Sequence, residues 1–428
     1  MAKITLNLIK RDHVNAVLEA IARKQHITKQ EISAQTGLSL VTVGKITNTL
    51  GEAGVLVHGK NAEQKIGRRA EVLRVRQDWA IPVYDLSGTS FRFYITSLDG
   101  EIIDKAEYKR SAGAQYVSAD FVRFLKLTLQ LLKRNYRNHK LPGVGVAIPG
   151  AYDAENDRII STMMPEMGDL KLLRNLRKIF KNANIVIENA NRLCAAGLIA
   201  SLPDSKTRTI TCIAFESSIE CTTCDRGEYA RGAHDLAGRL GDLPYVSGVT
   251  YTNFIHDALS TSVILDPALG DRGEYARGAH DLAGRLGDLP YVSGVTYTNF
   301  IHDALSTSVI LDPALDIIRM AAIAYDPDDI YLCSSRFSFL PEEIERMQNR
   351  LNTSVGIGAF PPKLHAVYNP EMEAMSGIIS RVISDWLDSM IVPKTRKKQK
   401  SDADTEAETP TLDQVLSSDE AANENGDT

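Results

Sequence analysis

The chain has 428 residues, 43% hydrophobic and 24% charged, which is enough for two or three domains with buried cores and excludes a fibrous or wholly disordered protein. No stretch approaches the roughly 18 apolar residues of a membrane span, and residues 1–20 lack a secretory signal, so we expect a cytoplasmic protein without membrane contact. The net charge of −5 hides a basic end, because residues 1–78 carry 13 Lys and Arg against seven Asp and Glu. This favours an anionic partner for that end.

The N-terminal segment predicts three helices. Residues 11–25 carry an apolar stripe at helical spacing, and two short helices follow over residues 27–50. Thr28 and Ser39 are predicted N-caps, and Gly37 is the predicted left-handed turn between the last two helices. The residues expected to close the small core are Ile32, Leu38, Val43, Ile46 and Leu50.

The third helix has an outward face of short or hydrogen-bonding side chains, which suits phosphates and base edges in a DNA major groove. These residues are Ser39, Thr42, Lys45 and Asn48.

Two alternating segments joined by a basic tip follow Gly54 and predict the β-hairpin wing of a winged helix-turn-helix. Lys65, Arg68 and Arg69 lie in this tip, where a wing meets the DNA backbone or minor groove. The alternative is a solvated charged hairpin beside a three-helix interaction module. The agreement of caps, turn glycine, core spacing and basic wing favours DNA binding.

From Ile81 onward, strands alternate with helices, which indicates an α/β body. Strands and a hairpin surround the motif DLSGT at 85–89, and a helix is predicted over 118–135. A strand at 185–188 and a later helix, DIIRMAAIAY, follow, and then come the strand DIYLC and an amphipathic final helix.

A perfect repeat interrupts this body. Residues 225–269 recur letter for letter at 271–315. Solenoid units diverge in sequence and carry distinct capping units, so one identical pair indicates a recent duplication or an error in the sequence. We expect one copy to fill the place that the fold offers and the other to be displaced as an insertion.

The five cysteines are few and unpatterned, as in a reducing compartment. Cys221 and Cys224 form a C-x-x-C motif without a second pair, in a run that looks like a strand. A packed pair of thiols is therefore favoured over half of a zinc site, and no metal site is predicted.

The tail from Pro393 onward joins a basic cluster to an acidic stretch without aromatic residues. It has too little apolar surface to fold alone, so residues 393–428 are predicted to be disordered.

The order of these segments is similar to that of the ROK family, named for repressors, open reading frames and kinases, in its repressor form. The motifs are TGLSLVTVGKITNTLGEAGVL, GRR, DLSGT, GVGVAIPGAYD, IENANRLCAAG and RGAHDLAGRLGDLP. The resemblance implies a winged helix-turn-helix over 1–78 and, over 79–392, a two-lobed actin-like (ribonuclease H-like) sugar kinase fold containing the repeat.

The resemblance also locates the parts of a kinase site, and most are altered. In the first phosphate loop Asp85, Gly88 and Thr89 persist, with Ser87 in place of a glycine. The second loop corresponds to residues 216–222 and has lost every glycine, and the adenosine-side glycines correspond to residues 333–335, again without glycine. Ala190 stands where the family has its general base, so phosphoryl transfer is not expected.

Of the family's sugar contacts, Asn189 clearly remains. Arg239 and Asp242 replace the Glu and His of another sugar-binding motif, and His234 matches a family position where a structural role is favoured over ligand binding. Together with the phosphate-loop residues Asp85, Gly88 and Thr89, these are the candidates for a retained ligand site.

The sequence therefore predicts a DNA-binding transcriptional regulator, a repressor of carbohydrate-related genes, that acts as a homodimer. Its body would be catalytically inactive, would need no cofactor and would sense a sugar or sugar phosphate. Two alternatives stay open: an active ATP-dependent sugar kinase, and a DNA-binding scaffold without an effector.

Overall fold

The computed structural model describes residues 11–24, 26–60, 71–162, 164–202, 204–216, 218–233, 236–246, 248–258, 308–334, 339–354, 356, 357, 359–391 and 411. None of the helices in these ranges is long and apolar enough to cross a bilayer.

The described helices and strands fall into a head and a body. The head contains α1 (Arg11–Arg23), β1 (Ile27–Thr28), α2 (Lys29–Thr36), α3 (Leu40–Glu52), β2 (Leu56–Lys60) and β3 (Glu71–Val75). The first lobe of the body contains β4 (Ile81–Asp85), β5 (Ser90–Thr96), β6 (Ile102–Lys109), α4 (Val117–Asn135), β7 (Val144–Ile148), β8 (Ala151–Asp153), β9 (Arg158–Ile160), α5 (Leu172–Ile179) and β10 (Ile185–Asn189). The remaining elements are α6 (Ala190–Ser201), β11 (Thr209–Phe215), β12 (Ile219–Asp225), β13 (Glu228–Tyr229), β14 (Pro244–Val246), β15 (Val249–Thr250), α7 (Tyr251–Ala258), α8 (Ser308–Tyr325), β16 (Asp329–Cys333), α9 (Pro341–Asn352), β17 (Lys363–Val367) and α10 (Pro370–Ile391).

The helices α2 and α3 of the head begin at the predicted N-cap residues. Thr28 and Glu31 make a reciprocal capping box at the start of α2, and the Ser39 side chain accepts the Thr42 N–H at the start of α3. Gly37 is left-handed, with φ 68°, so the turn between the two helices is confirmed. Strand β3 pairs antiparallel with both β1 and β2. The wing tip that would join β2 and β3, residues 61–70, lies outside the described residues.

The body contains two five-stranded sheets of the same design. The first has the strand order β10-β7-β4-β5-β6 and the second has the order β13-β12-β11-β16-β17. In each sheet the first three strands in sequence form an antiparallel meander, in which the first pairs with the second and the second with the third, and parallel strands extend the other side of the first strand. Parallel strands require helical crossovers, so the two-lobed α/β body is confirmed.

Head and body share one hydrophobic core around Trp79. Its ring is fully buried and meets the ring of Trp386 edge to face, with centroids 5.0 Å apart. Its indole N–H donates to the backbone oxygen of Gly54, which follows α3, at 3.1 Å. The same core includes, from the head and the body, Ile46, Leu50, Val83, Ile378 and Val382.

The two repeat copies both contribute to the described fold. The first copy supplies residues 225–258, which form β13, β14, β15 and α7, and the second supplies Ser308–Leu315, the first turns of α8. The helix predicted as DIIRMAAIAY thus begins eight residues earlier and contains Pro313. Residues 259–307 lie outside the described residues. We expected one copy alone to fill the place that the fold offers. In the structure, the described elements instead come from both copies.

The C-x-x-C motif does not bring its thiols together. The run that contains it forms the antiparallel hairpin β11–β12. Residues three apart on a strand point to opposite faces, and Cys221 and Cys224 accordingly belong to different hydrophobic clusters. The prediction of a packed thiol pair was therefore wrong.

Of the predicted disordered tail, only Thr411 is among the described residues. Its backbone forms an isolated β-bridge with Lys140.

Deletion of residues 262–307 should leave the fold intact. The two copies begin 46 residues apart, so this deletion restores a single copy and keeps both Tyr251–Ala258 and the whole of α8. We expect the melting temperature, followed by circular dichroism, to stay within a few degrees of that of the full chain. A variant of low helix content or one that aggregates would contradict the arrangement described above.

Candidate functional site

One face of α3 presents the predicted hydrogen-bonding side chains to solvent. Ser39, Lys45 and Asn48 are exposed, and Thr42 is half-buried. The Ser39 hydroxyl is partly used within the helix, because it accepts the Thr42 N–H at 3.2 Å. The accessible donors of Lys45 and Asn48 are suited to a phosphate and to a base edge respectively.

The sequence reasoning missed two apolar residues on the same surface. Leu40 and Val41 are 50% and 69% exposed at the start of α3. Apolar side chains in this position are able to contact thymine methyl groups in a major groove. The predicted wing residues Lys65, Arg68 and Arg69 lie outside the described residues, so their place on this surface stays a prediction.

A cleft of about 510 Å³ lies between the lobes of the body. Three predicted ligand residues, Asp85, Gly88 and Thr89, line one wall of it. The other walls come from the end of β7, the start of α6, the turn after β11 and the first turns of α10. The loop that contains DLSGT therefore faces the central cavity.

The Asp85 carboxylate is engaged by its own loop. Its Oδ1 accepts the Ser87 N–H at 2.9 Å and the Ser87 hydroxyl at 2.6 Å. Its Oδ2 pairs with Arg92 at 2.7 Å, and Arg92 also pairs with Glu371 at 2.7 Å. Ser87 thus holds the loop closed through its hydrogen bonds to Asp85. A metal ion would have to compete with Arg92 for this carboxylate.

The Glu220 carboxylate occupies a buried position near the second phosphate loop. It accepts the side-chain amides of Asn189 at 2.8 Å and Asn191 at 3.2 Å, and the Ser218 hydroxyl at 2.9 Å. A buried carboxylate with three donors is well stabilised. It also repels an anionic phosphate at the same place.

Asn189 has a structural role in this arrangement. Its Oδ1 accepts the Arg192 N–H and caps α6, and its Nδ2 donates to the Gly150 oxygen as well as to Glu220. The side chain therefore has partners at both ends within the protein. This full use of the amide limits its availability as a sugar contact.

The remaining predicted ligand residues lie apart from the residues that line the cleft. Arg239 pairs with Asp242 at 2.7 Å, and both contact the Thr162 hydroxyl. They bridge the second lobe to a loop of the first. His234, like its counterpart His280, lies outside the described residues.

The lining of the cleft is negatively charged. It includes four carboxylates and the guanidinium of Arg92. A neutral polyhydroxyl molecule can use carboxylates as hydrogen-bond acceptors, whereas a nucleotide triphosphate would be repelled. The carboxylates are Asp85, Glu107, Glu216 and Glu371.

Helix α10 connects the cleft to the head. Its first turns line the cavity through Glu371, Met375 and Ile378, and about two turns after Ile378, Trp386 meets Trp79. This helix crosses α6 in close contact at two glycines. A Cβ on Gly197 would overlap the carbonyl oxygen of Glu373, and one on Gly377 would overlap that of Leu193.

Comparison with known proteins gives low but consistent similarity. No protein-family model matches the chain. Over 238 residues the chain is 22% identical to the xylose repressor of Staphylococcus xylosus and 21% identical to that of Bacillus spizizenii. These matches cover 55% of this chain and 61% of each relative, so the chain spans about three fifths of the length of the curated relatives it matches.

A crystal structure of a ROK family transcriptional regulator, a homolog of the E. coli MLC protein, matches with a TM-score of 0.59 at 15% identity. The match covers 90% of this chain and 99% of that chain. The fold is therefore that of a two-lobed, actin-like body joined to a winged helix-turn-helix head. The resemblance to the repressors of the ROK family, indicated by the sequence motifs, is confirmed.

The substitution Gly197→Ala should destabilise the protein strongly, because its methyl group overlaps backbone that cannot rotate away. We expect a loss of about 3 kcal/mol or more in the free energy of unfolding, measured by chemical denaturation. Gly44→Ala is the matched control, since a Cβ at this helical glycine meets nothing within 4 Å, and it should gain about 1 kcal/mol. Equal stability of the two variants would refute the close helix crossing.

Proposed function

We propose that this protein is a sequence-specific DNA-binding transcriptional regulator, acting as a repressor, whose body senses a sugar. One observation carries the proposal: α10 lines the cleft with its first turns and reaches the shared core beneath the head through Trp386. An occupant of the cleft and the helix that reads DNA are thereby connected through one packed element.

The DNA contacts would come from α3 and the wing. The exposed face of Ser39, Thr42, Lys45 and Asn48 enters the major groove, and Lys65, Arg68 and Arg69 meet the backbone or the minor groove. The surplus of positive charge over residues 1–78 supports this orientation. Helix-turn-helix proteins read paired half-sites as two-fold dimers, so we propose a homodimer on a palindromic site.

A neutral sugar is the effector class that we propose. Two relatives are named xylose repressors, and the carboxylate-rich lining of the cleft favours hydroxyl groups over phosphates. The sugar would prefer one arrangement of the lobes and so shift the population of that arrangement. A coupling of about 1–3 kcal/mol, typical of allosteric proteins, changes DNA affinity about 5- to 150-fold.

We further propose that the body does not transfer phosphate. Phosphoryl transfer needs glycine backbone near the phosphates, a free carboxylate for the metal ion and a general base. Here Glu220 stands near the second phosphate loop, Arg92 and Ser87 hold Asp85, and Ala190 cannot accept a proton. These residues support a regulator over the alternative of an active sugar kinase.

Lys45→Ala should weaken binding to all DNA duplexes to a similar degree, because a phosphate contact carries no sequence information. The slope of log affinity against log salt concentration should become shallower by about one unit. Fluorescence anisotropy over a salt series measures both effects. Lys126→Ala removes an exposed lysine from α4 of the body and serves as the control; if it has the same effect, the head is not the binding surface.

Trp386→Phe should uncouple the sugar from the DNA. We expect its sugar affinity, measured by calorimetry on a panel of pentoses and hexoses, to stay within about twofold of the wild type. The loss of DNA affinity on sugar addition should become several-fold smaller, because the contact with Trp79 is reduced. Tyr136→Phe changes an aromatic residue of a separate core and should leave the coupling unchanged.

The same assays decide between the alternatives. A sugar at 100 times its dissociation constant should stabilise the chain by about 2.7 kcal/mol, and ATP should not. If no sugar in the panel binds, the DNA-binding scaffold without an effector is the better description. Turnover of ATP with a sugar, lost on Asp85→Ala, would instead establish an active kinase.

A further inference from the structure

Three cysteines that are distant in sequence converge beside the cleft. Cys194 lies on α6, Cys212 on β11 and Cys333 at the end of β16. The Sγ atoms of Cys212 and Cys333 are 3.7 Å apart, those of Cys194 and Cys333 are 4.0 Å apart, and all three lie within 4.8 Å of one another. Each residue is at most 4% exposed, and none forms a disulfide.

We propose that these three thiolates form a binding site for a thiophilic d¹⁰ metal ion. Three sulfur atoms that share an ion at about 2.3 Å must lie roughly 3.8–4.0 Å from one another, and the two separations given above agree with this spacing. No carboxylate or imidazole among the described residues joins the cluster. A set of sulfur ligands alone selects soft ions such as Cu⁺, Zn²⁺ and Cd²⁺.

The site is reachable from the cleft. Cys194 and Cys333 line the cavity, while Cys212 lies behind them in the apolar core. An ion can therefore enter through the cleft, and an ion that requires four ligands can take a water molecule from that side. The site would make the protein responsive to a metal independently of any sugar or DNA, so it goes beyond the function proposed above.

The three thiols of the cluster shift one another's pKa in opposite directions. Hydrogen bonds from the thiols of Cys194 and Cys333 lower the pKa of Cys212. Hydrogen bonds to its two neighbours, together with burial, raise the pKa of Cys333, and the hydrogen bond to Cys212 raises the pKa of Cys194. A metal ion binds the thiolate form of cysteine, so binding to the three sulfurs displaces the remaining thiol protons to solvent.

Simple packing of small apolar residues is the competing explanation, and the chain contains a matched control for it. Cys224 is buried in the same hydrophobic cluster as the three cysteines. It does not belong to the group whose sulfur atoms converge. If burial alone mattered, replacing Cys224 would have the same effect as replacing a member of the trio.

Metal binding is tested on the full chain, reduced, stripped with a chelator and kept without oxygen. Zn²⁺, Cd²⁺ and Cu⁺ are titrated separately against a competing chelator, without DNA or sugar. We expect one ion per chain, thiolate-to-metal charge-transfer absorption with Cd²⁺, and three sulfur neighbours by X-ray absorption. Binding should weaken at least 100-fold in Cys212→Ser and Cys333→Ser, and should be unchanged in Cys224→Ser.

Several outcomes would overturn the site. These are no binding of any of the three ions by the wild type, fewer than three sulfur neighbours, or an equal loss in Cys224→Ser and Cys212→Ser. Cys194→Ser provides a further variant beside the cavity. Should the serine variants fail to fold, the stoichiometry and the sulfur count of the wild type alone decide the question.

Discussion

The contact between Trp79 and Trp386 is the constraint on which the rest of the structure depends. An edge-to-face aromatic pair adds about 0.5–1.5 kcal/mol to the free energy gained by burying the two rings. Here the pair also lies in the core that head and body share, beside residues of both parts such as Leu50 and Val382. Because the indole N–H of Trp79 donates a hydrogen bond to the backbone oxygen of Gly54, the segment that follows α3 is fixed to the same core. The orientation of α3 is therefore set by its packing on the body.

The cleft between the lobes is held in shape by contacts among its own side chains. Its walls derive from strand ends and helix starts of both lobes. Side chains of the protein satisfy the carboxylates in and beside it: Ser87 and Arg92 satisfy Asp85, and Asn189 and Asn191 satisfy Glu220. Each of these contacts stabilises the free protein and would have to break before a metal-bound phosphate could enter. These contacts thus stabilise the cleft.

Local features were predictable from the sequence because they depend on neighbouring residues. The caps Thr28 and Ser39, the turn at Gly37 and the strand alternation all appear where the pattern places them. The pairing of Arg92 with Glu371 joins residues 279 positions apart, and no local pattern predicts it.

The same reason explains the wrong interpretation of the cysteines. Spacing in the sequence suggested Cys221 and Cys224 as a pair, whereas strand geometry separates them. The trio of Cys194, Cys212 and Cys333 forms only when β11 and β16 pair in parallel and α6 packs against them. Such a cluster is a property of the topology, and a single sequence carries no short motif for it.

The glycine crossing of α6 and α10 determines how movement passes along α10. At Gly197 and Gly377 the backbones touch directly, so no side chain lies between the helices to yield. Gly377 is seven residues from Pro370 and nine from Trp386, or about 10 Å and 14 Å along the axis at about 1.5 Å per residue. The close crossing therefore lies near the middle of the stretch between Pro370 and Trp386. Were the helix to tilt as a rigid body about this crossing, its cleft end and Trp386 would move in opposite directions.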